Sequence, residues 1–151
     1  MTDSGTPAAG ELLASLVPMV RTVGFEFLEA GPQRAVLRLP DRPEYHNHLG
    51  GPHAGAMFTL AESATGAVVL AAFGGLLDRM VPLPVHAEVA YRKVAKGEVT
   101  ATAELDRPAG EIAAELAAGG RPEFPVTVAV RRADGAVTSE MTVRWTLRPN
   151  D

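Results

Sequence analysis

One carboxylate in this chain stands where a carboxylate is costly. Between Ala54 and Phe73 the sequence is almost entirely Ala, Val, Leu, Met, Gly and Phe, and Glu62 is its single charged residue. An acid in apolar surroundings holds its proton more tightly or needs a partner. Desolvated and unpaired, it can take a proton from water as a general base or attack an acyl carbon itself; the general-base role is preferred. Just upstream lie Asn47, a short loop with Gly50 and Gly51, and then His53, Ala54, Gly55 and Ala56. If a helix starts at Ala54, the backbone N–H groups of its first turn are unpaired and carry the positive end of the helix dipole. Such donors suit an oxyanion. The glycines admit a ligand close to the backbone, and the Asn47 amide can orient a water or a carbonyl.

Each of these residues also has a plainer reading. Glu62 can be half of an ion pair across a subunit interface, with Thr59, Ser63 and Gly66 on the same helical face. His46, His48 and His53 can be loop residues that hydrogen-bond locally. No further His or carboxylate nearby completes a closed zinc set, so no metal is expected, and no cofactor. His86 falls one step out of the inward series Val85, Ala87 and Val89, which places it at the surface or an interface. Met141 and Trp145 read as packing. Arg92, Lys93 and Lys96 are either a solvated strand end or a clamp for phosphates.

The elements that must hold these residues follow from the hydrophobic pattern. Residues 1–10 read as a flexible tail and 11–151 as one domain. From Glu11, the residues Leu12, Leu13, Leu16, Val17 and Val20 follow helical spacing, and Pro18 ends or kinks the run. Phe25–Glu29 and Ala35–Leu39, joined by Gly31-Pro32, predict an antiparallel hairpin. Residues 40–52 form a loop. The helix from Ala54 is apolar on nearly every side, so protein must surround it, and Gly74-Gly75 stops it. Alternation then predicts strands over 84–94, 99–105, 126–130 and 137–147. A short helix over 111–116 lies between the second and third of these, and Ala133-Asp134-Gly135 makes a hairpin turn before the last. One buried helix and about six strands make an α+β chain in which a mostly antiparallel sheet curls around the helix.

Composition narrows the function classes. The 151 residues, 46% of them apolar, suit one core. There is no cysteine, which removes disulfides, thiolate metal sites and cysteine nucleophiles. The net charge of −4 comes with no basic stripe, so nucleic acid is not an expected partner. Met1–Gly10 lacks the pattern of a signal peptide. Residues 54–73 could be mistaken for a membrane span, but Thr59, Glu62, Ser63 and Thr65 interrupt them. A cytoplasmic protein with no membrane contact is expected.

The segment from His46 to Ala64 resembles the signature of hotdog-fold thioesterases of the phenylacetate-pathway type. Asn47 falls on that family's Asn, His53-Ala54-Gly55 on its His-Gly-Gly step, and Glu62 on its helical acid, with no gap in spacing. Tyr91 to Gly97 resembles the family's strand that ends in a Lys-Gly turn, and the element order agrees over roughly residues 11–148. The resemblance implies a hotdog fold, hydrolysis of acyl-CoA (or of acyl-carrier protein thioesters), and a homodimer or dimer of dimers with the site at the subunit interface. It implies Glu62, Asn47, His53, Ala54 and Gly55 as catalytic residues. His48, Gly50, Gly51, Thr59, Ser63, Arg92, Lys93 and Lys96 would contact substrate. Three positions depart from the family. Ala54 replaces the first glycine of the step and keeps its N–H, provided its φ is negative. Glu62 stands for the Asp of close relatives. A Ser or Thr that assists in some relatives falls near Pro84, which cannot serve. A non-catalytic acyl-CoA or small-ligand binding protein is the alternative reading, with an enoyl-CoA hydratase third.

Overall fold

A computed structural model of the chain describes residues 5–151, with side chains from Ala8 onward. Two short helices, α1 (Gly5–Leu16) and α2 (Pro18–Val23), are followed by strands β1 (Glu26–Ala30) and β2 (Arg34–Leu39). A loop containing a 3₁₀ turn, Pro43–Tyr45, leads into α3 (Ala54–Phe73). Then come β3 (Met80–Tyr91), β4 (Val99–Leu105), α4 (Ala109–Ala117), β5 (Glu123–Arg132) and β6 (Val137–Pro149). The strands make one sheet in the order β1-β2-β4-β5-β6-β3, every pairing antiparallel. The sheet curls around α3, which is the hotdog arrangement expected from the sequence.

Small residues bring helix and sheet together. Ala61, Ala64, Ala67 and Val68 on α3 are buried, and so are Ala35, Ala101 and Ala103 on β2 and β4. The antiparallel registers run these side chains in rows across the inner face. One row reads Leu37, Ala101, Val130, Ser139, Tyr91, and the next reads Ala35, Ala103, Val128, Met141, Val89. Every member on β2, β4, β5 and β6 is buried, whereas Tyr91, at the β3 end, is 52% exposed. Helix α3 covers the sheet from β2 across to β5 and leaves the β3 edge largely bare.

Several expectations shift by a few residues. The tail expected over residues 1–10 is helical from Gly5, with Ala9 buried; residues 1–4 lie outside the described residues. Pro18 does break the first helix: it opens α2, where its missing N–H costs nothing. Strand β3 starts four residues earlier than alternation suggested, at Met80, and takes in Pro82 and Pro84. An edge strand tolerates prolines because one side of its ladder is unpaired. The register slips between Pro84 and His86, so Val85 sits at a bulge and leaves the series of Ala87, Val89 and Tyr91. His86 is on the opposite, exposed face beside Glu88.

Helix α3 together with the turn after it, Ala54–Leu76, is long and apolar enough to cross a membrane, but it is packed inside the sheet as the core of the domain. Leu60 is fully buried on this helix. Leu60→Ala is expected to cost about 3 kcal/mol of stability through lost transfer energy and the cavity left behind, measured by urea unfolding against wild type.

Candidate functional site

The residues flagged in the sequence gather around the first turn of α3. His53 is its N-cap: the backbone is extended there, and the ring Nδ1 accepts a hydrogen bond from the Gly55 N–H at 2.8 Å. That occupies one of the three donors of the first turn. The first backbone bond into the helix is Met57 N–H to the His53 carbonyl, so the Ala54 and Ala56 N–H groups remain unbonded. Ala54 has a negative φ, as no residue other than glycine takes a positive value. The alanine therefore presents its N–H as a glycine would. Gly55, expected as an oxyanion donor, is instead consumed by its own cap.

Asn47 organises the loop before the helix. Its Oδ1 accepts from the Leu49 N–H at 2.9 Å and the Gly51 N–H at 3.3 Å, while its backbone N–H donates to the Gly51 carbonyl at 2.7 Å. Its Nδ2 reaches the Pro52 carbonyl only at 3.5 Å, so the amide nitrogen is the part still available to a ligand. Gly50 turns the loop with φ 74°. Gly51 is needed for a different reason: a Cβ there would lie 2.2 Å from the Ala95 carbonyl oxygen. The Asn47 loop and the loop after β3 thus touch backbone to backbone.

That contact frames a cavity of about 350 Å³ lined by Asn47, Leu49, Ala54, Met57, Tyr91 and Val94, with Arg92 and Lys93 also on its wall. The structure therefore brings together Asn47, Ala54, Arg92 and Lys93 of the expected site. Arg92 is partly committed to Glu140 at 3.2 Å, whereas Lys93 and Lys96 are exposed and make no ion pair among the described residues, Lys93 acting on Asp134 only at longer range. His48 and Gly50 lie on the exposed turn beside the cavity, and Lys96 on the exposed loop across it. Leu49, Met57, Tyr91 and Val94 were missed. Tyr91 and Val94 carry a readable signal, two large apolar residues flanking a pair of cations.

Glu62 does not line this cavity; it lies two turns further along α3 on another face. Gly55 and Phe58 are exposed and Glu62 is half-buried, and a spacing of three and four residues keeps them on one side of the helix. No hydrogen bond or ion pair engages the Glu62 side chain among the described residues. Burial alone pushes its carboxyl above the ordinary glutamate value; no charged neighbour contributes. Thr59, next to it on the helix, donates its hydroxyl back to the Gly55 carbonyl at 2.9 Å. Ser63 is buried on the flank away from Glu62, so its expected substrate contact does not fit a single chain.

The histidines do separate jobs. His46 Nε2 lies 2.7 Å from Asp41, His53 caps the helix, and His48 is exposed. Among the described residues no three metal-binding side chains converge. Pro84, at the place of the family's Ser or Thr, stands opposite Trp145 in the β3–β6 ladder.

A solved Pseudomonas aeruginosa structure described as a "Probable Thioesterase" is similar over 96% of both chains, at 28% identity and a TM-score of 0.84. A variant of a thioesterase enzyme from Staphylococcus aureus shares the fold over 88% of this chain and all of its own, at 18% identity and a TM-score of 0.71. So does a protein from S. sahachiroi, AziG, over 89% and 99%, at 23% identity and 0.70. No curated protein matches the chain significantly.

Two outcomes check the site. Gly51→Ala is expected to destabilise the fold by about 1–3 kcal/mol, because backbone must move to admit the methyl group; thermal unfolding reads this. For Glu62 the sign follows from its raised folded pKa. The unfolded chain loses the proton first, so stability falls as pH rises from the ordinary glutamate value of 4.5 through the folded pKa, and the penalty persists above it. Glu62→Gln should therefore be more stable than wild type at pH 7 and equal to it below pH of about 4, by denaturant unfolding at both values. The match of its residues 5–147 to one family model fixes the relationship: the chain belongs to DUF4442, a domain of unknown function, and carries it on the fold of the thioesterase-named structures above.

Proposed function

We propose that the chain is a thioester hydrolase in which Glu62 activates water against an acyl-CoA. The observation that carries this reading is the Glu62 carboxylate: without a hydrogen bond or ion pair among the described residues, raised in pKa by burial alone, and half-buried on the more open flank of an otherwise enclosed helix. A carboxylate in that state is a stronger base towards water than an ordinary one. The Ala54 N–H supplies an oxyanion donor beside the Asn47 amide, in a cavity whose apolar wall suits a pantetheine arm. Lys93 and Arg92 at its rim are placed for the phosphates of CoA.

The parts are split between two faces of one helix, and a second copy of the chain would join them. β3 is a twelve-residue edge strand, and its inner residues Ala87 and Tyr91 are exposed, as is Phe58 on α3. A long edge with an apolar inner side invites pairing with its own kind. In such a dimer Asn47 and Ala54 of one protomer would face the carboxylate of the other. The enzyme would be cytoplasmic, as a homodimer or dimer of dimers.

Thiol release from a panel of acyl-CoAs is the direct test. Wild type should turn over at least one member, and Glu62→Gln should lower kcat by about 10²-fold or more. Lys93→Ala should raise KM for the CoA thioester and leave that of a truncated pantetheine thioester unchanged. Turnover of acyl-carrier protein thioesters alone would move the substrate assignment. Saturable binding with no turnover on any member would overturn hydrolysis in favour of a ligand-binding protein. A monomer in sedimentation at micromolar concentration would sink the shared site.

A further inference from the structure

Helix α3 is tied to the sheet by one side-chain hydrogen bond among the described residues, and that bond ends on the turn that carries Glu62. The indole Nε1–H of Trp145, on β6, donates to Thr65 Oγ1 at 2.9 Å. The Thr65 hydroxyl donates onward to the main-chain carbonyl of Glu62 at 2.7 Å. Thr65 is fully buried and Trp145 nearly so. The hydroxyl thus uses its acceptor and its donor at once, and a buried indole N–H is satisfied by it.

The surroundings give this chain of bonds a direction. Trp145 stands opposite Pro84 on β3 and Phe124 on β5, so its ring is held from both flanking strands. A Cβ at Gly66 would lie 3.6 Å from Leu13 and 3.9 Å from the Trp145 ring. The indole and the α1 side chain therefore flank the turn that follows Glu62. On this helix the stripe that is bare at Phe58 and Glu62 is closed by Trp145 one turn later. A threonine bonded back to a carbonyl on the preceding turn bends a helix locally. Here the carbonyl so engaged belongs to the residue bearing the carboxylate.

We propose that Thr65 and Trp145 are positioning residues for Glu62: the sheet sets the height and direction of the carboxylate through the indole, the hydroxyl and the Glu62 carbonyl. This rests on the reading of Glu62 as the base. Neither residue touches the substrate. Their role is to hold one carboxylate to within the fraction of an ångström that water activation requires.

The test uses the full-length protein with Thr65→Val, Thr65→Ser and Trp145→Phe. Thr65→Val should lower kcat about tenfold to a hundredfold with KM unchanged, and Thr65→Ser, which restores the hydroxyl, should recover most of it. Trp145→Phe keeps an aromatic ring without the N–H; it should lower kcat in the same sense and serves where Thr65→Val fails to fold. Titration of a labelled Glu62 carboxyl by NMR needs no turnover and separates the two ideas. Its midpoint should move towards the ordinary glutamate value in Thr65→Val and return in Thr65→Ser, even if no panel thioester is hydrolysed. Folded variants with the wild-type Glu62 midpoint, and with wild-type kcat where there is turnover, would overturn the brace while leaving the hydrolase reading intact.

Discussion

A twenty-residue helix with no polar side cannot stand in water, and the rest of the chain is organised by that constraint. α3 has to be wrapped, and six antiparallel strands wrap it. The wrapping is uneven. Alanines on both surfaces seat the helix against β2, β4 and β5, and burial fades along each row towards β3. The one flank left open is where Phe58 and Glu62 stand. The same packing that makes the domain stable therefore decides which helical residue meets solvent.

The carboxylate gains its character from this position. At the surface it would be an ordinary acid; fully enclosed it would need a partner. Placed on a bare strip between Phe58 and the indole-capped turn, it is dehydrated without being neutralised by a counter-ion. The free amides at the head of the same helix are a separate asset, held by the His53 cap and the Asn47 loop. One helix thus carries both halves of the proposed chemistry, the amides at its head and the carboxylate two turns further on.

Much of this was legible in the residues. The length and composition of 54–73 identified the buried helix, and the lone acid within it stood out for its cost. Alternation located the strands, because one buried face and one solvated face leave a period of two. What alternation did not show was the start of β3 at Met80, where Pro82 resembles a loop residue until the strand is known to lie at an edge. The bulge at Val85 was hidden for the same reason. The resemblance implied a site at the subunit interface; within one chain, two turns of α3 separate Glu62 from the loop that holds Asn47. Trp145 was correctly taken as core, but its bond to Thr65 joins positions eighty residues apart, and no local pattern records such a pairing.

The close approach of Gly51 to Ala95 ties the evolution of two loops that are far apart in sequence. With no side chain between them, each loop's backbone sets how near the other can come. Insertions or deletions in one loop would be tolerated only with a matching change in the other.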